Sequence, residues 1–269
     1  MYRGFNIENI SFEDEIDLVH QYESTIPNID INEDLMNFLD DDFVFDGSAI
    51  QEDWFPQINA DIFISHSHRD EKTAKALAIW LKNEFNLTAF IDSTVWGYFE
   101  ELLSIIQLTT DLASTTSHVH MMLNMALMQM IDKTECLFFL NTPNSIILND
   151  EIEAGTYSPW IYSELGISQI IQKKIPARYT NIFLLQSTEN KRLYEDSKFR
   201  YKLNVSHLLN LDCDKLNKWK NKFTEYSQND FFEKIYREGM GFPDENQLEE
   251  KHPLDILYEL NPINHSLRG

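Results

Sequence analysis

Short β-prone runs separated by helical stretches constrain this chain more than any other feature. Asp61 to Ser65 reads DIFIS, without the polar alternation of a half-exposed strand, as a parallel strand covered by helices on both faces does. Leu87 to Asp92 (LTAFID), Cys136 to Leu140 (CLFFL) and Asn181 to Leu185 (NIFLL) follow as further strands, with Val205 to Leu211 as a fifth whose alternation makes it less typical. Between them, Arg69 to Asn83 places Ala74, Leu77, Ala78 and Leu81 at helical spacing, and residues 118–131, 159–172 and 215–226 read as further helices. Repetition of strand and helix predicts an α/β fold with a central parallel five-stranded sheet flanked by helices.

A chain of 269 residues can bury one sizeable α/β core with appendages. The sequence divides into an acidic N-terminal extension (1–58), a central domain (59–226) and a C-terminal helical tail (227–269). The extension carries fifteen Asp and Glu against the single Arg3, and so most of the net charge of −22. It also holds Phe12, Leu18, Phe38, Phe43, Phe45 and Trp54, more large apolar residues than a disordered tail keeps. Ser11 with Asp14 reads as a capping box opening a short helix. The expectation is a segment docked on the domain or on a partner, the alternative being a solvated acidic surface with a few anchoring aromatics. In the tail, residues 229–239 read as a separate helix after Ser227, stopped by Gly241-Phe242-Pro243.

So acidic a chain lacks the concentrated positive surface that phosphate backbones require, which argues against nucleic acid. No apolar run approaches the roughly 20 residues of a membrane span, and Cys136 and Cys213 stand in no disulfide or zinc pattern. The expected setting is the cytoplasm.

Ligands of such a sheet bind beyond the carboxyl ends of the strands. The loops there read Ser65-His66-Ser67-His68-Arg69-Asp70, Ser93-Thr94-Val95-Trp96-Gly97 and Asn141-Thr142-Pro143-Asn144-Ser145. Neither GxGxxG nor GxxxxGK[ST] occurs, so dinucleotide-fold dehydrogenases and P-loop enzymes are excluded. A phosphoacceptor receiver domain needs an aspartate after the third strand, where this chain has Asn141.

Three segments in these places resemble a known family. FISHSHRDE (63–71) is similar to the opening strand and loop of bacterial TIR (Toll/interleukin-1 receptor) domains. FIDSTVWG (90–97) resembles their second strand with the BB loop, and PWIYSEL (159–165) resembles the W-x-x-x-E-L segment that carries the glutamate of NAD⁺-cleaving members. The resemblance covers about 60% of the chain and implies a flavodoxin-like TIR fold. Three departures stand out: a stretch of about forty residues between Trp96 and the third strand, an extended LNDEIEAGTYS before Trp160, and flanking regions outside the resemblance.

The resemblance makes Glu164 the catalytic carboxylate. Trp160 lies one helical turn before it, and an apolar ring beside a carboxyl group raises its pKa by desolvation. The bland alternative is a surface glutamate favoured by the helix dipole. Ser65, His66 and Ser67 are candidates for hydrogen bonds to ribose or phosphate, Arg69 for a pyrophosphate or a surface salt bridge, and Trp96 for stacking on a flat ring or for a place in the core or an interface. Asp92 is a candidate ligand or a turn cap. His66, His68, His118 and His120 lack zinc-ligand spacing and accompanying acidic or cysteine ligands, so no metal is expected. Met121, Met122, Met125, Met128 and Met130 read as core or a pliable interface.

The implied activity is cleavage of the nicotinamide–ribose bond, with NAD⁺ as substrate and no resident cofactor. The product is ADP-ribose or a cyclic ADP-ribose-type signal in bacterial antiviral defence of the Thoeris kind or a related one. Implied partners are other copies of the chain through the loop 93–100, and a separate effector or activating protein. The acidic N-terminal region would be a candidate brake. The alternative from another class is a non-catalytic TIR module assembling with other TIR proteins.

Overall fold

The structure is a computed structural model that describes residues 1–10, 12, 19–25, 35–41, 44–97, 112–149, 152–156, 158–179, 201–202, 205–239 and 251–262. A five-stranded, all-parallel sheet forms its centre. The strands are β1 (Arg3–Ile7), β2 (Ile62–Ser65), β3 (Ala89–Phe90), β4 (Cys136–Leu140) and, last in the chain, β8 (Leu209–Leu211), in the order β3-β2-β4-β1-β8. The expected α/β architecture is present, and CLFFL forms a strand over its full length. A small antiparallel sheet of β5 (Ile147–Asn149), β6 (Ile152–Thr156) and β7 (Tyr201–Lys202) lies outside it.

Helices cover both faces. The described ones are α1 (Gly47–Trp54), α2 (Glu71–Phe85), the single turn α3 (Asp92–Val95), α4 (Leu112–Lys133), α5 (Pro159–Ile170), α6 (Cys213–Gly239) and α7 (Pro253–Leu260). Successive residues of β4 point to opposite sides. Leu137 and Phe139 join Phe63, Trp54, Leu127 and Leu165 in one core, whereas Phe138 and Leu140 join Ile64, Leu77, Trp219 and Leu257 in the other. With both sides of the strand buried, its sequence has no polar positions.

The division at residue 58 does not hold. β1 lies between β4 and β8, pairing with both in register (Phe5 with Phe138 and Leu209), and Phe5 and Ile7 are buried in the second core. Gly4 faces the other side, where an added Cβ would lie 2.5 Å from Leu208 Cδ2, so a side chain there would make that leucine shift. The rest of the acidic segment also contributes core: Asp46 caps α1 through the Ser48 and Ala49 amides, and Ile50, Trp54 and Phe55 are buried. Among the described acidic side chains of this segment, Asp40, Asp41, Asp46 and Glu52 are exposed, while the apolar residues beside them complete the sheet's covering.

Nor does the boundary at 226 hold. A single helix runs from Cys213 to Gly239, because the Ser227 hydroxyl donates back to the Phe223 carbonyl four residues earlier and continues the helix instead of capping a new one. Beyond it, α7 buries Leu254, Ile256 and Leu257, and the Trp219 indole donates to the Pro253 carbonyl at 2.9 Å. The Arg178 guanidinium grips Glu135 through two bonds of 2.6 Å and Asp255 of α7 through a third. The tail is therefore part of the same core. NIFLL (181–185), the capping box of Ser11 and Asp14 and the glycine stop at 241–243 lie outside the described residues. None of the helices searched among the described residues is long and apolar enough to cross a membrane.

Candidate functional site

The strand order reverses between β2 and β4, and the polar residues gather beyond the carboxyl ends of β2 and β3. LTAFID pairs as a strand only over Ala89–Phe90; Ile91 is still extended, and the chain turns into α3 at Asp92. Val95 and Trp96 close that turn by donating to Ile91 and Asp92. Gly97 lies so close to the Ser93 carbonyl that a Cβ there would be 2.6 Å from it. The tight turn sets Asp92 and Ser93 side by side opposite the loop that follows β2.

On the other side, Ser158 caps α5 by accepting from the Ile161 amide, with Pro159 at the first helical position. Helix α5 then points Glu164 inward. Its side chain is buried (2% exposed) and accepts a hydrogen bond of 2.5 Å from the Ser65 hydroxyl at the end of β2. A surface glutamate is thus excluded as the reading of this residue. Burial pushes the Glu164 carboxyl well above the usual carboxylate range, the nearby negative charge of Asp92 pushes it further, and the Ser65 bond pulls it partly back. Asp92 is also raised by burial, against the pull of His66 and the Ser93 amide.

Above this pair lies a cavity of about 340 Å³, walled by His66, Asp92, Ser93, Ser158 and the indoles of Trp96 and Trp160. His66 is buried, with Nε2 at 3.0 Å from Ser93 Oγ and Nδ1 at 3.8 Å from Asp92 Oδ1. Trp160 is half-buried, its ring tilted against His120 at 5.8 Å.

Of the residues expected from sequence, His66, Asp92, Trp96 and Trp160 line the cavity; Glu164 is outside that lining and is joined to Ser65. Ser65 is fully buried with its hydroxyl committed to Glu164, so it positions that carboxyl group and is not open to a ribose. Trp96 is only 3% exposed and packs edge-on against Phe55 and Phe90, with its indole nitrogen donating to the Pro56 carbonyl; most of the ring is core. Ser67 and Arg69 are not brought in. The Ser67 carbonyl closes the turn to the Asp70 amide, and Arg69 is exposed outside the cavity wall.

Several residues that organise the site went unassigned in the sequence. Asp70 is buried and accepts from Thr142 Oγ1 at 2.5 Å and Asn144 Nδ2 at 2.7 Å, clamping the loop after β2 to the loop after β4. Glu8 accepts from Asn6 and Asn141, and Asn6 donates also to Asn210, which ties the ends of β1, β4 and β8. Asp70 belongs to FISHSHRDE, but an aspartate before a helix reads as a cap until its partners are seen. Among the described residues searched, no cluster of three or more metal-ligating side chains occurs. Met130 joins the core, whereas Met121, Met125 and Met128 are exposed on α4.

The raised Glu164 value has a consequence for stability. A folded-state pKa above the unfolded one means that the native chain keeps a proton which the unfolded chain releases above about pH 4.3. Stability attributable to this group therefore falls as pH rises from there through the folded value. Glu164→Gln keeps the shape and the acceptor for Ser65 while removing the titration. We expect it to melt higher than wild type at neutral pH, with the gain fading below about pH 4. Each kcal/mol moves the melting temperature by roughly 2–4 °C in a chain of this size, so scanning calorimetry at two pH values resolves the difference. Equal melting temperatures at neutral pH would show that the buried carboxyl group carries no such strain.

The chain matches no protein family, no curated protein and no solved structure.

Proposed function

We propose that this chain is an NAD⁺-cleaving enzyme of the TIR type, with Glu164 as its catalytic carboxylate. The observation that carries the reading is the burial of Glu164 against Ser65, within electrostatic reach of Asp92, which walls a cavity with Trp160 and His66. A cavity of about 340 Å³ is of the size that holds a flat ring with its sugar, leaving the rest of a dinucleotide outside.

The chemistry suits one buried carboxylate. The nicotinamide ring of NAD⁺ is a pyridinium, so its departure yields a neutral molecule and needs no general acid. Positive charge moves from the ring towards ribose C1′ as the bond stretches, and a carboxylate beside C1′ stabilises that charge in a site shielded from water. Burial raises the pKa of the carboxyl group, and the incoming pyridinium charge favours its anionic form. Ser65 fixes its orientation, and the half-buried Trp160 indole offers a flat apolar surface to the ring. Released as ADP-ribose or as a cyclic isomer, the product would serve antiviral signalling or NAD⁺ depletion in a bacterial cell.

Purified protein incubated with NAD⁺ over a range of protein concentrations, with products separated by chromatography and mass spectrometry, tests this. Nicotinamide and an ADP-ribose product are expected, with specific activity rising with concentration if the loop 93–100 assembles copies of the chain. No turnover at any concentration would favour the non-catalytic assembly module.

A further inference from the structure

The same cavity holds a paired serine and histidine that cleavage of the glycosidic bond does not use. Ser93 Oγ lies 3.0 Å from His66 Nε2, and both residues line the cavity wall. In the neutral imidazole the other nitrogen sets the direction of this bond. Nδ1 faces two acceptors, the Ile64 carbonyl at 3.4 Å and Asp92 Oδ1 at 3.8 Å, so in that form Nδ1 is the protonated nitrogen. Nε2 then keeps its lone pair and accepts from the Ser93 hydroxyl. A serine donating to a neutral imidazole, with a carboxylate beyond the ring to stabilise the imidazolium, is the arrangement that turns a hydroxyl into a nucleophile. The turn closed by Gly97 holds Ser93 there, next to Asp92, which acts electrostatically on Glu164.

We infer that Ser93 is the acceptor nucleophile of this pocket, and that the enzyme transfers ADP-ribose from NAD⁺ to its own Ser93 hydroxyl. The inference rests on the proposed NAD⁺ cleavage. As the C1′–N bond breaks, its electron pair returns to the pyridine nitrogen and neutral nicotinamide leaves. A lone pair of Ser93 Oγ forms the new bond to C1′, and the hydroxyl proton passes to His66 Nε2. Asp92 faces the resulting imidazolium. The O-glycosidic product occupies the cavity in which the next NAD⁺ must bind, so the modification limits the enzyme's own turnover.

The test uses the full chain and NAD⁺, with nicotinamide release followed over time and the protein then digested and mapped by mass spectrometry. An ADP-ribose adduct on Ser93 that resists neutral hydroxylamine is expected, approaching one per chain as nicotinamide release slows. Ser93→Ala should lose the adduct and the slowing. His66→Gln, with folding checked by its melting curve, should form the adduct at least about tenfold more slowly, general-base assistance being worth about 10²–10⁴. Nicotinamide release with no adduct on Ser93 overturns this inference and leaves NAD⁺ cleavage standing. An adduct that hydroxylamine removes is an ester on a carboxylate, and it too overturns the assignment. Absence of nicotinamide release overturns both readings, as distinct from the second alone.

Discussion

Glu164→Ala should abolish nicotinamide release, by about 10²–10³-fold or more, since removal of one preorganised stabilising group costs that much in a water-excluded site. Glu164→Gln should be nearly as damaging although it preserves volume and the Ser65 contact, because the neutral amide cannot offset charge at C1′. The pair of variants separates electrostatics from packing. If the glutamine variant retains most of the activity, the negative charge is not what the site supplies. The proposed chemistry is then wrong even should the alanine variant be inactive. Stability provides an internal control, as the glutamine variant is expected to melt higher than wild type at neutral pH. A protein that is more stable and less active carries a group placed for function at a cost to the fold.

Ser65→Ala bears on the same residue from the other side. It removes the hydroxyl that donates to Glu164 at 2.5 Å, and so should reduce the rate less than loss of the carboxylate does. That ordering, with Glu164 first and Ser65 second, is what an orienting hydroxyl predicts; a substrate-binding hydroxyl would mainly raise KM.

How much of this was legible in the sequence depended on what each segment does with its two faces. CLFFL could be read outright because both sides of β4 are buried and five apolar residues in succession have no other simple use. RGFNI could not. Its outward signal is Phe5 and Ile7 alone; the opposite face is filled by Gly4, which admits Leu208, and by Asn6, which bonds to Glu8 and Asn210. Two apolar residues beside a long acidic stretch give no strand signal, so the pattern of β-prone runs begins only at Asp61. The helix break at Ser227 was a false capping signal, since serine also bonds backward within a helix. At the site, spacing placed Trp160 and Glu164 on one helix, but whether that face looked inward depends on α5 packing against β2 through Ser65. Trp96 illustrates the opposite limit: a tryptophan in a ligand-facing loop spends most of its ring on Phe55 and Phe90.

The placement of β1 leads to the other large expected effect. Deletion of residues 1–8 should leave no cooperatively folded protein, rather than release an enzyme from its brake. β1 is an interior strand, and its removal strips the paired edges of β4 and β8, whose backbone groups then need new partners. Phe5 and Ile7 each contribute about 1.5–3 kcal/mol of burial, and every ladder hydrogen bond lost adds about 0.5–1.5 kcal/mol. Against a net stability of about 5–15 kcal/mol, the sum leaves little or nothing. The Met1 amine, which donates to the Asp132 carbonyl and is held down to about 6 by burial, would be lost as well. Circular dichroism and a thermal melt of the truncated chain read the outcome. Phe5→Ala, costing about 3–5 kcal/mol, gives the graded version in a chain of full length. If the truncated chain melts cooperatively near the wild-type temperature, β1 does not occupy the sheet, and the acidic segment regains its standing as a separable regulator.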